Sequence, residues 1–209
     1  MNIRKDSGPL KWILIGISVL FLFVMLILPL SYVMYTAFSK GIKVFLAAVT
    51  DKYALHSIKL TIEVSLIAVV CNTFFGIFAS WLITKFQFKG KKIISTLIDL
   101  PLTVSPIIAG LIYVLTFGRQ SFIYPYLKVM GVRIIFAVPG IVLATIFVTF
   151  PFISRELIPV LTSQGTDEEE AAALMGANGW TIFWKVTFPH IKWPLLYGIV
   201  LCTARAMGE

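Results

Sequence analysis

The stretch from Trp12 to Ser39, WILIGISVLFLFVMLILPLSYVMYTAFS, runs for 28 residues without one charged side chain. A helix needs about 20 apolar residues to cross the hydrocarbon core of a bilayer, so this stretch is long enough to span one. Three more uncharged runs follow: 21 residues from Val64 to Thr84, 19 from Leu100 to Gly118 and 21 from Ile134 to Ser154. In lipid every backbone N–H and C=O must be paired within the chain, which leaves helices or closed barrels, and continuous apolar runs without alternation select helices. Composition agrees. The 209 residues are 58% hydrophobic and 13% charged, against about 25% charged in soluble domains, so a water-soluble globule is excluded and an all-α membrane protein is expected.

Lys and Arg number 18 against 10 Asp and Glu, a net charge of +8. In this setting the excess reads as membrane topology, with the lipid bilayer and not nucleic acid as the partner, because basic residues beside spans favour the cytoplasmic face. An inside N-terminus puts ten basic residues on that face and seven on the other, and the four lysines Lys85, Lys89, Lys91 and Lys92 weigh most. The apolar stretch after Arg4 and Lys5 exceeds the roughly 7–15 residues of a secretory signal core, so it is read as a retained first span. Cys71 and Cys202 both fall inside apolar runs and are expected to pack as small apolar side chains.

The expected spans are about 12–38, 58–84, 93–117 and 134–154, with a partial fifth at 193–209. Lys59 and Glu63, four apart, can pair on one helix face at the mouth of the second span. The third span contains Asp99-Leu100-Pro101 and Pro106, and two prolines there should bend or break it. Asp99 is a carboxylate at membrane depth and so a functional candidate; its competing role is to cap a helix restarting at Pro101. The fourth span is expected to end at Pro151.

Residues 155–192 break the pattern, because with Trp193 they separate two apolar spans yet hold five of the ten acidic residues. A structured cytoplasmic loop is expected. Thr166-Asp167-Glu168-Glu169 has the spacing of a capping box, in which the Thr oxygen accepts from the third N–H and Glu169 reaches back. A short helix through Met175 should stop at Gly176 in a left-handed conformation. A second piece, Trp180 to Val186, should end at Pro189. Two short angled helices with an exposed apolar edge suit the docking of another protein.

Glu170-Ala171-Ala172, three residues, Gly176, nine residues, Val186, one residue and Phe188-Pro189 resembles the EAA signature of ABC-importer permeases, with valine for isoleucine and phenylalanine for leucine. Asp99-Leu100-Pro101, Val104 to Leu111, Phe147-Val148-Thr149, Arg155-Glu156-Leu157 and Ala204-Arg205-Ala206-Met207-Gly208-Glu209 are similar to the sulfate/thiosulfate importer permeases, in particular the second of their two permease subunits. That similarity covers most of the chain from the second span onward, and the first sixty residues match only in character.

The resemblance implies one transmembrane permease domain over 1–209 in a bacterial-type inner membrane. Its partners would be a second homologous permease, two ATPase subunits and an extracellular or periplasmic sulfate-binding protein. It implies that Glu170, Ala171, Ala172, Gly176, Val186 and Pro189 engage the ATPase, with Glu170 starting the helix and Gly176 allowing close backbone approach. ATP and Mg2+ would sit on the partner, since this chain has no G-x-x-x-x-G-K-[ST] loop, and no cofactor, metal site or catalysis is expected of the chain itself. Arg205 would either touch the passing oxyanion or pair with Glu209 one turn on, the pairing being favoured. A molybdate or tungstate permease is the alternative within the same superfamily. Because family members continue past this point, the chain is also expected to be cut short at Glu209, which leaves a non-transporting remnant as a further alternative.

Overall fold

The computed structural model describes residues 9–208, with side chains from Lys11 onward. These residues form helices and turns, with no strand among them, in two compact units divided between Ile58 and Lys59.

In the first unit, α1 (Pro9–Leu22), a π-helical turn (Phe23–Ile27) and α2 (Leu28–Phe38) make one continuous apolar helix. Its 28 residues from Lys11 to Phe38 span roughly 42 Å at 1.5 Å per residue. The π turn sits where Pro29 requires it. A proline lacks the N–H of the helical ladder and its ring presses on the carbonyl four residues back, and widening that turn relieves both. No residue of this span is buried by the other residues of its own unit. Residues 40–56, expected as a loop, contain α3 (Ile42–Val49), which folds back so that Phe45 meets Phe38 at 4.8 Å between ring centroids.

The second unit is built around α8 (Val138–Gln164) and α11 (Phe188–Met207), with α4 (Lys52–Lys85) entering it from Lys59 onward. Ile153, Leu157 and Leu161 recur every four residues on one face of α8 and pack against Ile191, Leu195 and Cys202 of α11. Lipid gives no hydrophobic drive between helices, so close approach through small residues takes its place. Ser65, Ala68, Asn72, Gly76 and Ser80 form the buried stripe of α4. Fully buried Ile153 lies between two glycines: a Cβ on Gly76 would come within 2.8 Å of its Cγ2, and one on Gly198 within 3.2 Å of its Cα. A polar node crosses the same interface, where Asn72 Nδ2 donates to Thr149 Oγ1 at 2.7 Å and to the Ile146 carbonyl at 3.2 Å. Cys202 is fully buried beside it, but it is more than the apolar filler the sequence suggests: its Sγ accepts from Asn72 Nδ2 and donates to the Thr149 carbonyl, each at 3.8 Å.

Several expected boundaries move. The second span starts at Lys52, and Lys59 and Glu63 do pair, at 3.6 Å. The third segment is not one straight span: α5 (Lys91–Thr103) and α6 (Pro106–Phe117) are bent by 110°. The break falls at Val104-Ser105 because Pro106 forces Ser105 into extended backbone (ψ 139), whereas Pro101 is accommodated inside α5. The turn before α8 includes α7 (Tyr124–Val129). The fourth helix passes through Pro151 and Pro159 to Gln164, so the start of the predicted loop is helical. Pro189 does not end its helix either. A second π-helical turn, Phe183–Thr187, precedes it just as the first precedes Pro29, and α11 runs on from Phe188 instead of Trp193. Lys11–Phe38, Lys52–Lys85 and Val138–Gln164 are each long and apolar enough to cross a membrane, and the bent pair can form a fourth crossing.

Candidate functional site

The loop between α8 and α11 folds as a compact appendage. α8 ends at Gly165, whose φ of +70 turns the chain away. α9 (Asp167–Leu174) then starts with four consecutive carboxylates, Asp167 to Glu170, a placement the positive end of a helix favours. It stops as the sequence predicts. Gly176 has a φ of +86, its N–H donates to Ala173 O at 2.9 Å, and the Ala177 N–H donates to Ala172 O at 3.1 Å. That reciprocal pair is a Schellman motif, which satisfies carbonyls the helix end would leave open. A Cβ at Gly176 would meet nothing within 4 Å. Within this chain the glycine therefore serves backbone conformation and not close approach. α10 (Gly179–Ile182) follows at once, capped by Asn178 Oδ1 accepting from the Thr181 N–H at 2.8 Å.

The expected capping box does not form: Thr166 makes no side-chain cap bond, and Glu169 is engaged elsewhere. The ammonium of Lys85, the last residue of α4, lies 3.0 Å from Glu169 Oε1, with the two side chains only 6% and 15% exposed. The same oxygen accepts from Thr187 Oγ1 at 2.6 Å, and Lys85 also donates to the Gly165 carbonyl. The Lys85–Glu169 pair thus ties together the end of α4, the α8–α9 turn, α9 and the π turn leading into α11. A charge buried in this way is tolerated because it is paired and hydrogen-bonded on several sides. A second tie, His190 Nε2 to Glu168 Oε2 at 2.9 Å, joins α9 to the first turn of α11. Trp81 of α4 meets Phe183 at 5.9 Å, extending the junction with aromatic packing.

Of the residues singled out from sequence, Glu170, Ala171 and Gly176 are exposed on the outer side of this appendage, and Ala172 is buried beneath it. Val186 is half-buried in the π turn, and Pro189 is exposed in the first turn of α11. The Glu169–Thr187 bond brings the two halves of the motif together. Leu174 (90% exposed), Met175 (82%) and Trp180 (72%) form an apolar tip at the α9–α10 joint.

Asp99 stands apart. It caps nothing, lying within α5, and its Oδ1 accepts from Arg155 Nε of α8 at 3.0 Å across an open cleft. Arg205 is exposed in the last turn of α11, roughly 25 Å along that helix from the loop. The predicted Arg205–Glu209 pair lies outside the described residues. The sequence read Lys85 only as a topology signal and Glu169 only as half of a capping box, and it assigned no part in this junction to Thr187, His190 or Glu168. Lys85 and Glu169 are 84 positions apart, a separation that carries no periodic signal. No group of three or more His, Cys, Asp or Glu side chains that could hold a metal occurs among the described residues.

Residues 72–209 match the family described as the binding-protein-dependent transport system inner membrane component. The chain is 48% identical over 209 residues to the sulfate transport system permease protein CysW of Escherichia coli (strain K12), covering 99% of this chain and 72% of that protein. It is 44% identical over 209 residues to the protein of the same name from Synechocystis sp., covering 75% of it, and 42% identical over 200 residues to sulfate permease 2, chloroplastic, of Chlamydomonas reinhardtii, covering 54% of it. The first alignment takes in the first span, so the likeness extends further toward the N-terminus than the motifs alone indicate.

Proposed function

The chain belongs to the binding-protein-dependent transport system inner membrane component family, and from that membership we propose that it is the permease subunit of an ATP-driven importer of sulfate and thiosulfate. The observation that carries the reading is the appendage of residues 165–190, whose apolar tip faces away from the chain while the buried Lys85–Glu169–Thr187 junction fastens it to α4 and α11. That arrangement suits a lever. A partner gripping Leu174, Met175, Trp180 and Glu170 moves α9, and the junction passes the displacement to two membrane helices as a rigid-body shift.

The partner is an ATPase that holds ATP and Mg2+, present in two copies. A second homologous permease completes the pathway, and a binding protein delivers the anion from outside. The appendage and the N-terminus lie on the cytoplasmic side, in keeping with the lysines from Lys85 to Lys92. Sulfate is the favoured cargo because the relatives named above are sulfate permeases. The test is uptake of radiolabelled sulfate in cells lacking and regaining this chain, with unlabelled thiosulfate and molybdate as competitors. Restored uptake competed by thiosulfate is expected. Uptake competed only by molybdate would move the assignment to the other oxyanion, and no uptake of either would refute it.

A further inference from the structure

A polar cleft opens between α5 and α8, at the inner end of the uncharged runs 100–118 and 134–154. Asp99 follows the first residue of α5 by eight positions and Arg155 precedes the last residue of α8 by nine, so each stands roughly 12–14 Å in from that helix end. Those ends lie on the side that the lysines from Lys85 to Lys92 make cytoplasmic. The cleft measures about 390 Å3 and is lined by Ser95, Ile98, Asp99, Arg155, Ile158 and Pro159. Lys91, Ser95, Asp99 and Thr103 recur every four residues, which makes one slowly turning polar stripe on α5. The stripe runs from the break at Val104-Ser105 to the cytoplasmic end of that helix. Arg155 Nε donates to Asp99 Oδ1 at 3.0 Å, and among the described residues neither side chain has another hydrogen bond or ion pair. The guanidinium therefore keeps four N–H donors on its two Nη nitrogens. The side chains are 61% and 44% exposed, and exposed pairs hold weakly, so this contact opens far more readily than the buried Lys85–Glu169 pair. Charges at the edge of the hydrocarbon face water or a pathway and not lipid, which makes the open side of the cleft wet.

We propose that this cleft is an exit station for the oxyanion, in which Arg155 exchanges Asp99 for the departing anion; the inference rests on the importer reading above. Two oxygens of a tetrahedral dianion match the parallel N–H bonds that the Nη edge of a guanidinium offers. Chloride has no such pair of acceptors and gains only from the charge. Asp99 competes for the same guanidinium and repels the dianion, so the anion is held briefly and leaves as the carboxylate returns. Binding of that strength, favourable enough to enter and weak enough to leave, is what passage requires. Delivery by the binding protein ends on the outer side, so a station at the inner end receives its anion from the pathway.

The test uses Ser95→Cys, and separately Ile158→Cys on the opposite wall, in the complete importer in inside-out membrane vesicles without ATP. The unaltered chain gives the background from Cys71 and Cys202. Labelling by a neutral maleimide is followed as sulfate or chloride is added to the cytoplasmic face at matched ionic strength. Sulfate is expected to slow labelling at both positions, and chloride to leave it unchanged. Arg155→Gln should abolish the protection, and Arg155→Lys, which keeps the charge and loses the fork, should weaken it. Asp99→Asn should strengthen it. Removing a competitor that holds Arg155 as an exposed pair moves half-protection to about two- to sixfold lower sulfate. A pair that only ties α5 to α8 has no reason to shift in that direction. Equal protection by chloride, or protection that Asp99→Asn leaves unchanged or reduces, overturns the exit station, and neither reading needs an Arg155 variant to fold. Sulfate uptake by the unaltered chain without protection overturns the station and leaves the importer reading intact. Protection and uptake with molybdate but not sulfate supports the station and overturns the sulfate assignment. Uptake of neither oxyanion overturns the importer reading and the station with it.

Discussion

Replacing Lys85 by Met leaves Glu169 buried beside Thr187 with its charge uncompensated. The two side chains are 6% and 15% exposed and 3.0 Å apart, so solvent screens the loss poorly. Breaking one partner of a buried pair costs about 3–5 kcal/mol, whereas removing both charges together is often close to neutral. We take the lower end, about 3 kcal/mol, because the junction lies at the end of α4 and water reaches it on opening. At 1.4 kcal/mol per factor of ten, that raises the population of the detached appendage roughly 100-fold. Amide hydrogen exchange between α9 and the π turn at Phe183–Thr187 reads that population directly. Lys85→Met and Glu169→Leu should each speed exchange there roughly 100-fold and reduce uptake. The double variant should return to within about tenfold of the unaltered chain, a coupling of at least about 4 kcal/mol. Unchanged exchange in Lys85→Met, or a double variant as loose as the sum of the singles, refutes the junction as the tie between membrane helices and appendage.

Gly76→Ala should destabilise the helix packing by about 1–3 kcal/mol through overpacking, since its Cβ would lie 2.8 Å from Ile153 Cγ2; Ile153→Leu in the same chain, which removes that Cγ2 branch, should recover part of the loss in a thermal-unfolding assay. Gly176→Ala should weaken the α9 stop by about 1–2 kcal/mol because φ is +86, with Gly176→Asn tolerated better, read as uptake at equal protein abundance. Asn72→Leu removes the bonds to Thr149 and Ile146, and hydrogen bonds between membrane helices average about 0.6 kcal/mol with a ceiling near 1.7, so a loss above that range in thermal unfolding would mean that Asn72 does more than join helices.

The apolar runs and their helical state were legible residue by residue, because lipid imposes one solution on a backbone that must satisfy itself. The stop at Gly176 was legible as well, since a left-handed position selects glycine locally. The prolines misled at the boundaries. Pro151 and Pro189 read as helix ends, yet neighbouring helices and a π turn accommodate them within α8 and α11. The capping box failed for a different reason. Glu169 had two competing partners, and the buried Lys85 ammonium outweighs a backbone N–H that water can satisfy.

By itself, then, the sequence determined that the chain is a helical membrane protein, where its apolar segments lie, and that one acidic loop carries the spacing of an importer permease. These follow from local composition and short-range periodicity. Only the tertiary structure decided which glycines admit Ile153, that Asp99 meets Arg155, and that Lys85 closes on Glu169. Each of those depends on groups far apart in the chain or on different elements, and the helix packing that brings them together is set by side-chain volume and charge pairing, which no single segment encodes.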